Sequence, residues 1–256
     1  LIIIAGRPSM GKTALGTNIA FNVAKNFKEK IDEFGANKLI DGGKVAFFSL
    51  EMSCVQLVKR LMASEARLPG EKLRKGSLRD DEFQQLHSRI KKLSTAPIYI
   101  DDTPGLSIFD FRAKCRRLKS QYNIELIIID YLQLMSAKDG KNNGNREQEI
   151  STISRSIKEI AKELDVPIIA LAQLSRSVEQ RGGDKRPILS DLRESGAIEQ
   201  DADIIMFIYR DEVYHEDTKD KGMAEIIIAK HRNESLGKIN LAFIGKLLKP
   251  PQHLRH

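Results

Sequence analysis

Residues Gly6 to Thr13 read G-R-P-S-M-G-K-T and fill every fixed position of the pattern G-x-x-x-x-G-K-[ST], with the apolar run Leu1 to Ala5 just upstream. In this pattern the glycines let backbone N–H groups wrap phosphates. A lysine at the position of Lys12 reaches the outer phosphates, and a hydroxyl at the position of Thr13 can sit on Mg²⁺. The segment Ala14 to Phe27 reads as a helix whose positive N-terminal end faces the same anion. Strand, loop and helix in this order predict an α/β fold. They also predict a nucleoside triphosphate site built from Gly6, Arg7, Pro8, Ser9, Met10, Gly11, Lys12, Thr13 and Ala14. The motif names a ligand and leaves the task open.

A chain of 256 residues, 41% hydrophobic, suits one large domain with a sizeable core. The two cysteines, Cys54 and Cys115, stand far apart with no C-x-x-C or histidine spacing around them. Neither a disulfide framework nor a zinc site is predicted, and both read as ordinary thiols in a reducing compartment. No apolar stretch approaches the ~20 residues of a membrane span, and Leu1 to Ala5 is too short for a signal core, so the expectation is a cytoplasmic protein without a membrane partner. A net charge of +7 and a pI near 9.3 favour a polyanionic partner, although a nucleotide site alone would tolerate that balance.

Beginning directly on a core strand, the sequence reads as a fragment of a longer protein. Asn26 to Lys44 is charged and carries Gly35, Gly42 and Gly43, as a surface excursion with no role beyond connection would. Lys44 to Leu50 reads as a strand and Cys54 to Leu68 as a helix, broken by Pro69 and Gly70. A helix over Arg79 to Leu93, a strand over Pro97 to Asp101 and a helix over Ile108 to Tyr122 follow. Leu126 to Ile129 is wholly apolar and ends at Asp130, as a buried parallel strand would. After a polar tract from Ser136 to Arg146, Ile150, Ile153, Ile157, Ile160 and Leu164 mark an amphipathic helix. Val166 to Ala172 is the next strand, and the long polar segment Ser175 to Ser190 reads as a functional or mobile loop. Ile204 to Tyr209, Glu225 to Ala229 and Ile239 to Ile244 close the chain with little helical sequence between them. The predicted architecture is a mainly parallel central sheet flanked by helices, with antiparallel additions at the C-terminal end.

In open α/β sheets ligands bind outside the carboxyl ends of the strands. Glu51, Asp130 and Gln173 each follow a strand and are placed to converge beside the phosphate loop. Asp130 after four aliphatic residues has the pattern of a Walker B acid, holding Mg²⁺ through its water shell beside Thr13; the alternative is a turn former closing a strand. Glu51 suits a base that orients and deprotonates the attacking water, or else a surface glutamate near the positive end of a helix. Gln173 can hydrogen-bond the γ-phosphate and a neighbouring loop and so report whether that phosphate is present. Taken alone, a polar residue after a strand is weak evidence.

The blocks A-G-R-P-S-M-G-K-T from Ala5, F-S-L-E-M-S from Phe48, I-I-I-D-Y-L-Q-L-M from Ile127 and A-L-A-Q-L-S-R from Ala170 are followed by S-D-L-R-E-S-G-A-I-E-Q-D-A-D from Ser190 and K-H-R-N from Lys230. In that order and over nearly the whole chain, the sequence resembles the helicase domain of DnaB-type replicative DNA helicases, within the RecA-like ATPase superfamily. The resemblance implies a RecA-like P-loop fold using ATP and Mg²⁺. It makes Lys12 and Thr13 the phosphate and metal residues, Glu51 the catalytic base, Asp130 the Walker B acid and Gln173 the coupling glutamine. It further implies that Arg232 is an arginine finger entering the ATP site of the adjacent subunit, where such a residue is worth about 10³ to 10⁵ in rate, and that Lys230 accompanies it. Pattern alone would leave both as a solvated basic turn. Glu234 stands where the family usually has Gly, so the turn that carries Arg232 need not follow the family's geometry.

By the same resemblance Arg193, Glu194 and Gly196 belong to a loop facing a central channel and holding the single-strand backbone, Gly196 allowing close approach of a phosphate. The segment Ser175 to Arg193 agrees in part. It carries Arg176, Arg181, Lys185, Arg186 and Arg193 against Glu179, Asp184 and Asp191, with no aromatic residue. Binding there is expected to follow phosphates, tolerate any sequence and weaken with salt; a merely solvated charged loop is the alternative. The 136–146 tract, with Lys138, Lys141 and Arg146 against Asp139, reads first as a mobile surface loop.

The resemblance implies a homohexameric ring that translocates 5′ to 3′ on single-stranded DNA and unwinds duplex during chromosome replication, with primase and a helicase loader as partners. Residues 1–256 would be its motor domain, with an N-terminal domain and linker helix expected upstream. The tail Lys246 to His256 does not resemble the family's usual ending. The runner-up is a RecA or RadA-type recombinase forming an open filament. A small-molecule kinase shares the phosphate loop but needs an acceptor pocket and a lid.

Overall fold

A computed structural model of the chain describes residues 1–31, 37–137 and 146–245. Strand β1 (Ile2–Gly6) runs into the phosphate loop and helix α1 (Lys12–Lys25). Next come β2 (Lys28–Ile31) and β3 (Asn37–Asp41), which pair antiparallel as a small sheet of their own. The 26–44 excursion therefore carries a hairpin where a bare connection was expected. The four residues of β2 are all exposed, so no face alternates and periodicity had nothing to register.

The chain continues through β4 (Val45–Ser49), α2 (Cys54–Ala66), α3 (Gly70–Lys75), α4 (Asp80–Thr95) and β5 (Ile98–Asp101). Helix α3 is an element that the Pro69-Gly70 break concealed. Arg67 closes α2 in the left-handed region at φ 54°, and Pro69 then stands at the N-cap of α3. An N-cap needs no intrahelical N–H, so the residue that stops one helix introduces another. Ser53 and Gln56 close a capping box at the start of α2, each side chain bonded to the other's backbone N–H.

Helix α5 (Ile108–Tyr122) leads to β6 (Leu126–Asp130), α6 (Arg146–Leu164) and β7 (Ile168–Gln173). The short helices α7 (Ser177–Gln180) and α8 (Gly196–Asp201) flank a 3-10 turn over Leu189–Ser195. The chain ends in β8 (Ile204–Tyr209), β9 (Met223–His231) and β10 (Gly237–Ala242). The large sheet has the order β10-β9-β8-β1-β7-β6-β4-β5. It is parallel from β8 through β5; β9 pairs antiparallel with β8, and β10 antiparallel with β9.

Side chains alternate across a strand, and β6 shows what that does here. Ile127 and Ile129 join Phe48, Phe111 and the α6 residues Ile150, Ile153, Ile157 and Ile160 on one face. Ile128 joins Val45, Phe47, Ala20 and Leu171 on the other. Both faces are covered, which is why this strand reads as an unbroken apolar run. Each such side chain taken fully out of water stabilises the fold by about 1.5–3 kcal/mol. Helix α1 lies close on the sheet because Gly16 has no side chain; a Cβ there would stand 3.2 Å from Leu171 Cδ1. Among the described residues no helix is long and apolar enough to cross a membrane, and both cysteines are free. The 138–145 tract and the tail from residue 246 lie outside the described residues.

Candidate active site

Parallel pairing brings the carboxyl ends of β1, β4, β6 and β7 to one edge of the sheet. Gly6 lies opposite Gln173 and Ser49 opposite Asp130, and the Leu50 N–H donates to the Asp130 carbonyl at 2.8 Å. The result is a cleft of about 470 Å³ whose walls include Lys12, Thr13, Glu51, Asp130 and Gln173. Thus the phosphate-loop lysine and hydroxyl share one space with all three strand-end residues singled out from the sequence. Pro8, Ser9, Gly11 and Ala14 line it too. Gly11 has φ 105°, a left-handed conformation that disfavours any side chain.

The Lys12 ammonium donates to the carbonyls of Gly6 at 2.9 Å and Arg7 at 3.2 Å. Burial lowers its pKa to about 8, against the opposing pull of Asp130 and Glu51. Asp130 is 1% exposed, and among the described residues neither carboxylate oxygen has a hydrogen-bond partner at bonding distance. Burial raises its pKa and Glu51 adds to the rise; the Thr13 hydroxyl, close by without completing a bond, pulls the other way with Lys12 and Arg60. A buried carboxylate left in this state is costly unless it serves a ligand. Among the described residues no cluster of three or more His, Cys, Asp or Glu side chains could hold a metal by itself. Asp130 and Thr13 nevertheless fit Mg²⁺, which keeps several waters and is commonly held by one or two carboxylates together with substrate phosphates.

Several contributors were not found from the sequence. Gln133 clamps Gln173, its side-chain amide donating to the Gln173 carbonyl at 3.0 Å and accepting the Gln173 N–H at 3.1 Å. Arg210, immediately after β8, lines the cleft and donates to the Ser9 carbonyl at 2.8 Å. Its guanidinium lies 3.6 Å from the centre of the Phe243 ring, and that ring covers Gly11, where a Cβ would stand 2.8 Å from it. Arg210 follows a parallel strand as the other strand-end residues do, so the same signal was available. Phe243 gives no local signal, because the antiparallel strand β10 carries it back over the loop. Arg7 and Met10 turn away from the cleft, Met10 into the core and Arg7 toward Leu174 and Glu179.

Arg232 and Lys230 stand elsewhere. His231 pairs with Ile204, which pairs with Ile2, so Arg232 lies past the amino end of β1 while the phosphate loop lies past its carboxyl end. At ~3.3 Å per strand residue the two ends of β1 are separated by more than about 13 Å, beyond the reach of an arginine side chain. Arg232 donates to the Gln200 carbonyl at 2.9 Å and approaches Asp203 at 3.4 Å. Lys230 donates to the Glu199 carbonyl, so both cations sit at the carboxyl end of α8. Burial and Arg232 lower the pKa of Lys230.

The opposite end of α8 begins at Gly196, in the block read as facing nucleic acid. Among the described residues, nothing beyond its chain neighbours and its own helix backbone stands within 4 Å of where a Cβ would project from Gly196. Arg193 and Glu194 fall on the 3-10 turn, and their side chains lie outside the described residues. Three of the basic residues expected to grip phosphates are engaged internally. Arg181 pairs with Asp191, Arg186 pairs with Glu225 at 2.6 Å, and Lys185 donates to the Glu179 carbonyl at 2.7 Å. The 175–190 segment is thereby more structured than its composition suggested.

The sequence model of the family described as DnaB-like helicase C terminal domain matches residues 1–249. The replicative DNA helicase DnaB of Geobacillus stearothermophilus is 52% identical over 249 residues, covering 97% of this chain and 51% of that protein. The replicative DNA helicase DnaC of Bacillus subtilis is 51% identical over 249 residues, with the same coverage of each chain. This chain therefore spans about half the length of the curated relatives it matches. Among solved structures, a DnaB-like replicative helicase described with its interactions with primase superposes with a TM-score of 0.84 at 40% identity, covering 96% of this chain and 56% of that one. A second solved structure, of an ATPase domain, gives the same TM-score and identity, covering 96% of this chain and 82% of that one.

Proposed function

Because this chain belongs to the DnaB-like helicase C-terminal domain family, we propose that it is the ATP-hydrolysing motor of a replicative DNA helicase, driven by Mg²⁺-ATP and moving along single-stranded DNA. The observation that carries the reading is the division of the site between two ends of one sheet. Lys12, Thr13, Glu51, Asp130 and Gln173 share a cleft, while Arg232 and Lys230 stand where their own cleft is out of reach. On this reading a second copy brings its Arg232 to this cleft.

ATP enters with its phosphates wrapped by the N–H groups of the Gly6–Thr13 loop, and Lys12 exchanges its loop carbonyls for phosphate oxygens. Asp130 and Thr13 would hold the Mg²⁺, which when bound neutralises phosphate charge. Glu51 accepts a proton from the attacking water as its oxygen bonds to the γ-phosphorus, and the bond to the bridging oxygen breaks to release ADP. Arg232 from the neighbour meets the charge that spreads over the γ-phosphoryl oxygens. Gln173, braced by Gln133, passes the loss of that phosphate to the segment leading to Arg193, Glu194 and Gly196. The assembly is a homohexameric ring in the bacterial cytoplasm, working at the replisome with primase and a helicase loader.

The test is turnover by the full-length protein with and without single-stranded oligonucleotide, alongside unwinding of a forked duplex. DNA-accelerated turnover and strand separation are expected, and Lys12→Ala should abolish both. Turnover indifferent to DNA, or near wild-type in Lys12→Ala, would overturn the assignment.

A further inference from the structure

We propose that the ion pair between Arg7 and Glu179 links the phosphate loop to the nucleic-acid-facing block and sets how strongly single-stranded DNA accelerates hydrolysis. The proposal rests on the motor reading above. Arg7 occupies a position that the phosphate-loop pattern leaves free, yet its side chain is 5% exposed and turned from the cleft. Its Nε and Nη2 each lie 2.8 Å from Glu179 Oε1, and its Nη1 donates to the Leu174 carbonyl at 2.7 Å. A buried guanidinium costs several kcal/mol unless it is paired and hydrogen-bonded. Its partners among the described residues, Leu174 and Glu179, both lie on the segment that leaves β7.

From Glu179 the connection continues without a gap. Glu179 sits on α7, and Arg181 at the end of that helix holds both Asp191 oxygens, at 3.3 and 3.2 Å. Arg181 also donates to the Arg186 carbonyl at 2.7 Å. Asp191 is 5% exposed, accepts the Ile188 N–H at 2.8 Å, and through its carbonyl takes the Ser175 N–H at 3.1 Å. Two residues later comes Arg193. The phosphate loop and the proposed DNA block are thus joined by a line of charge-assisted bonds, the strong kind. It runs beside the Gln173 route and does not use it. Glu179 is about half exposed, so its charge is partly screened. The coupling belongs at the low end of the usual 5- to 150-fold range, about fivefold.

Full-length Glu179→Gln and Glu179→Asp test it, with oligo-dT as the DNA and a nonhydrolysable ATP analogue or ADP as the nucleotide. In Glu179→Gln, turnover without DNA should stay within about twofold of wild type while the oligo-dT stimulation factor falls about fivefold. The same link should carry binding coupling, so the difference in oligo-dT Kd between the two nucleotide states should narrow as well. Glu179→Asp keeps the charge and should recover part of both effects. An unchanged stimulation factor in Glu179→Gln overturns the proposal. So does an equal loss of turnover with and without DNA, which would make the pair a mere support of the loop. Wild-type protein indifferent to oligo-dT would instead bring down the motor reading itself, and this proposal with it.

Discussion

Replacing Asp130 by Asn should stabilise the protein while removing its hydrolytic activity. The carboxylate is 1% exposed, has no hydrogen-bond partner among the described residues and lies within electrostatic reach of Glu51. Leaving a buried charged group unsatisfied costs more than the ~1–3 kcal/mol of a neutral one. Asparagine keeps the shape and loses the charge. Lys12 offsets part of the gain, since it loses one of two carboxylates that favour its ammonium form. A net gain of about 1–2 kcal/mol is reasonable, and at about 2–4 °C per kcal/mol for a domain of this size that is a rise in Tm of about 2–8 °C. The gain carries a pH signature. The native pKa of Asp130 lies above its ordinary 3.8, so the native state holds this proton to higher pH than the unfolded chain does. The penalty is absent below about 3.8 and complete above the native pKa. Thermal melting in metal-free buffer should show the largest advantage at neutral pH, narrowing as the buffer is made acidic. A variant melting at or below wild type at neutral pH, or an advantage untouched by acid, would refute the reasoning that this carboxylate is kept for its ligand.

Other consequences are as direct. Burial holds the Lys12 pKa near 8, so nucleotide affinity should fall about tenfold per pH unit above that value as the free site loses its proton; calorimetric titrations giving a flat affinity from about pH 7 to 9.5 would contradict it. Mixing Arg232→Ala chains with Glu51→Ala chains should restore part of the ATPase that each lacks alone, and no recovery in oligomers shown to be mixed counts against a finger supplied by the neighbour. Phe243→Ala removes the ring paired with Arg210 beside the cleft, and a lost base-stacking surface should raise the KM for ATP about tenfold with kcat little changed. An unaltered KM would exclude the ring from nucleotide binding. Gly42→Ala should destabilise by about 2 kcal/mol or more by urea titration, because φ is 66° and the new Cβ would stand 2.4 Å from the Phe27 backbone nitrogen; an unmoved midpoint would show that the turn gives way freely.

The parallel sheet was legible because its strands are buried on both faces and announce themselves as apolar runs. The residues that end those runs, Glu51, Asp130 and Gln173, were legible for the same reason: parallel pairing sends every strand end to one edge. The β2–β3 hairpin was hidden because its exposed side chains follow no alternation, and α3 because Pro69 serves two helices at once. Phe243 and Gln133 were out of reach for a different cause. Each meets its partner far along the chain, through an antiparallel return in one case and a side-chain clamp onto β7 in the other. The ion pairs of Arg181 and Arg186 belong with them: composition counts charges and cannot say which are already taken.

The position of Arg232 past the far end of β1 has an arithmetic of its own. On the proposal that Arg232 completes a neighbour's cleft, copies joined head to tail seat the donor pole of one in the acceptor pole of the next. An open row always leaves one pole vacant at each tip and so has one working centre fewer than it has members. Closure alone brings the two numbers level.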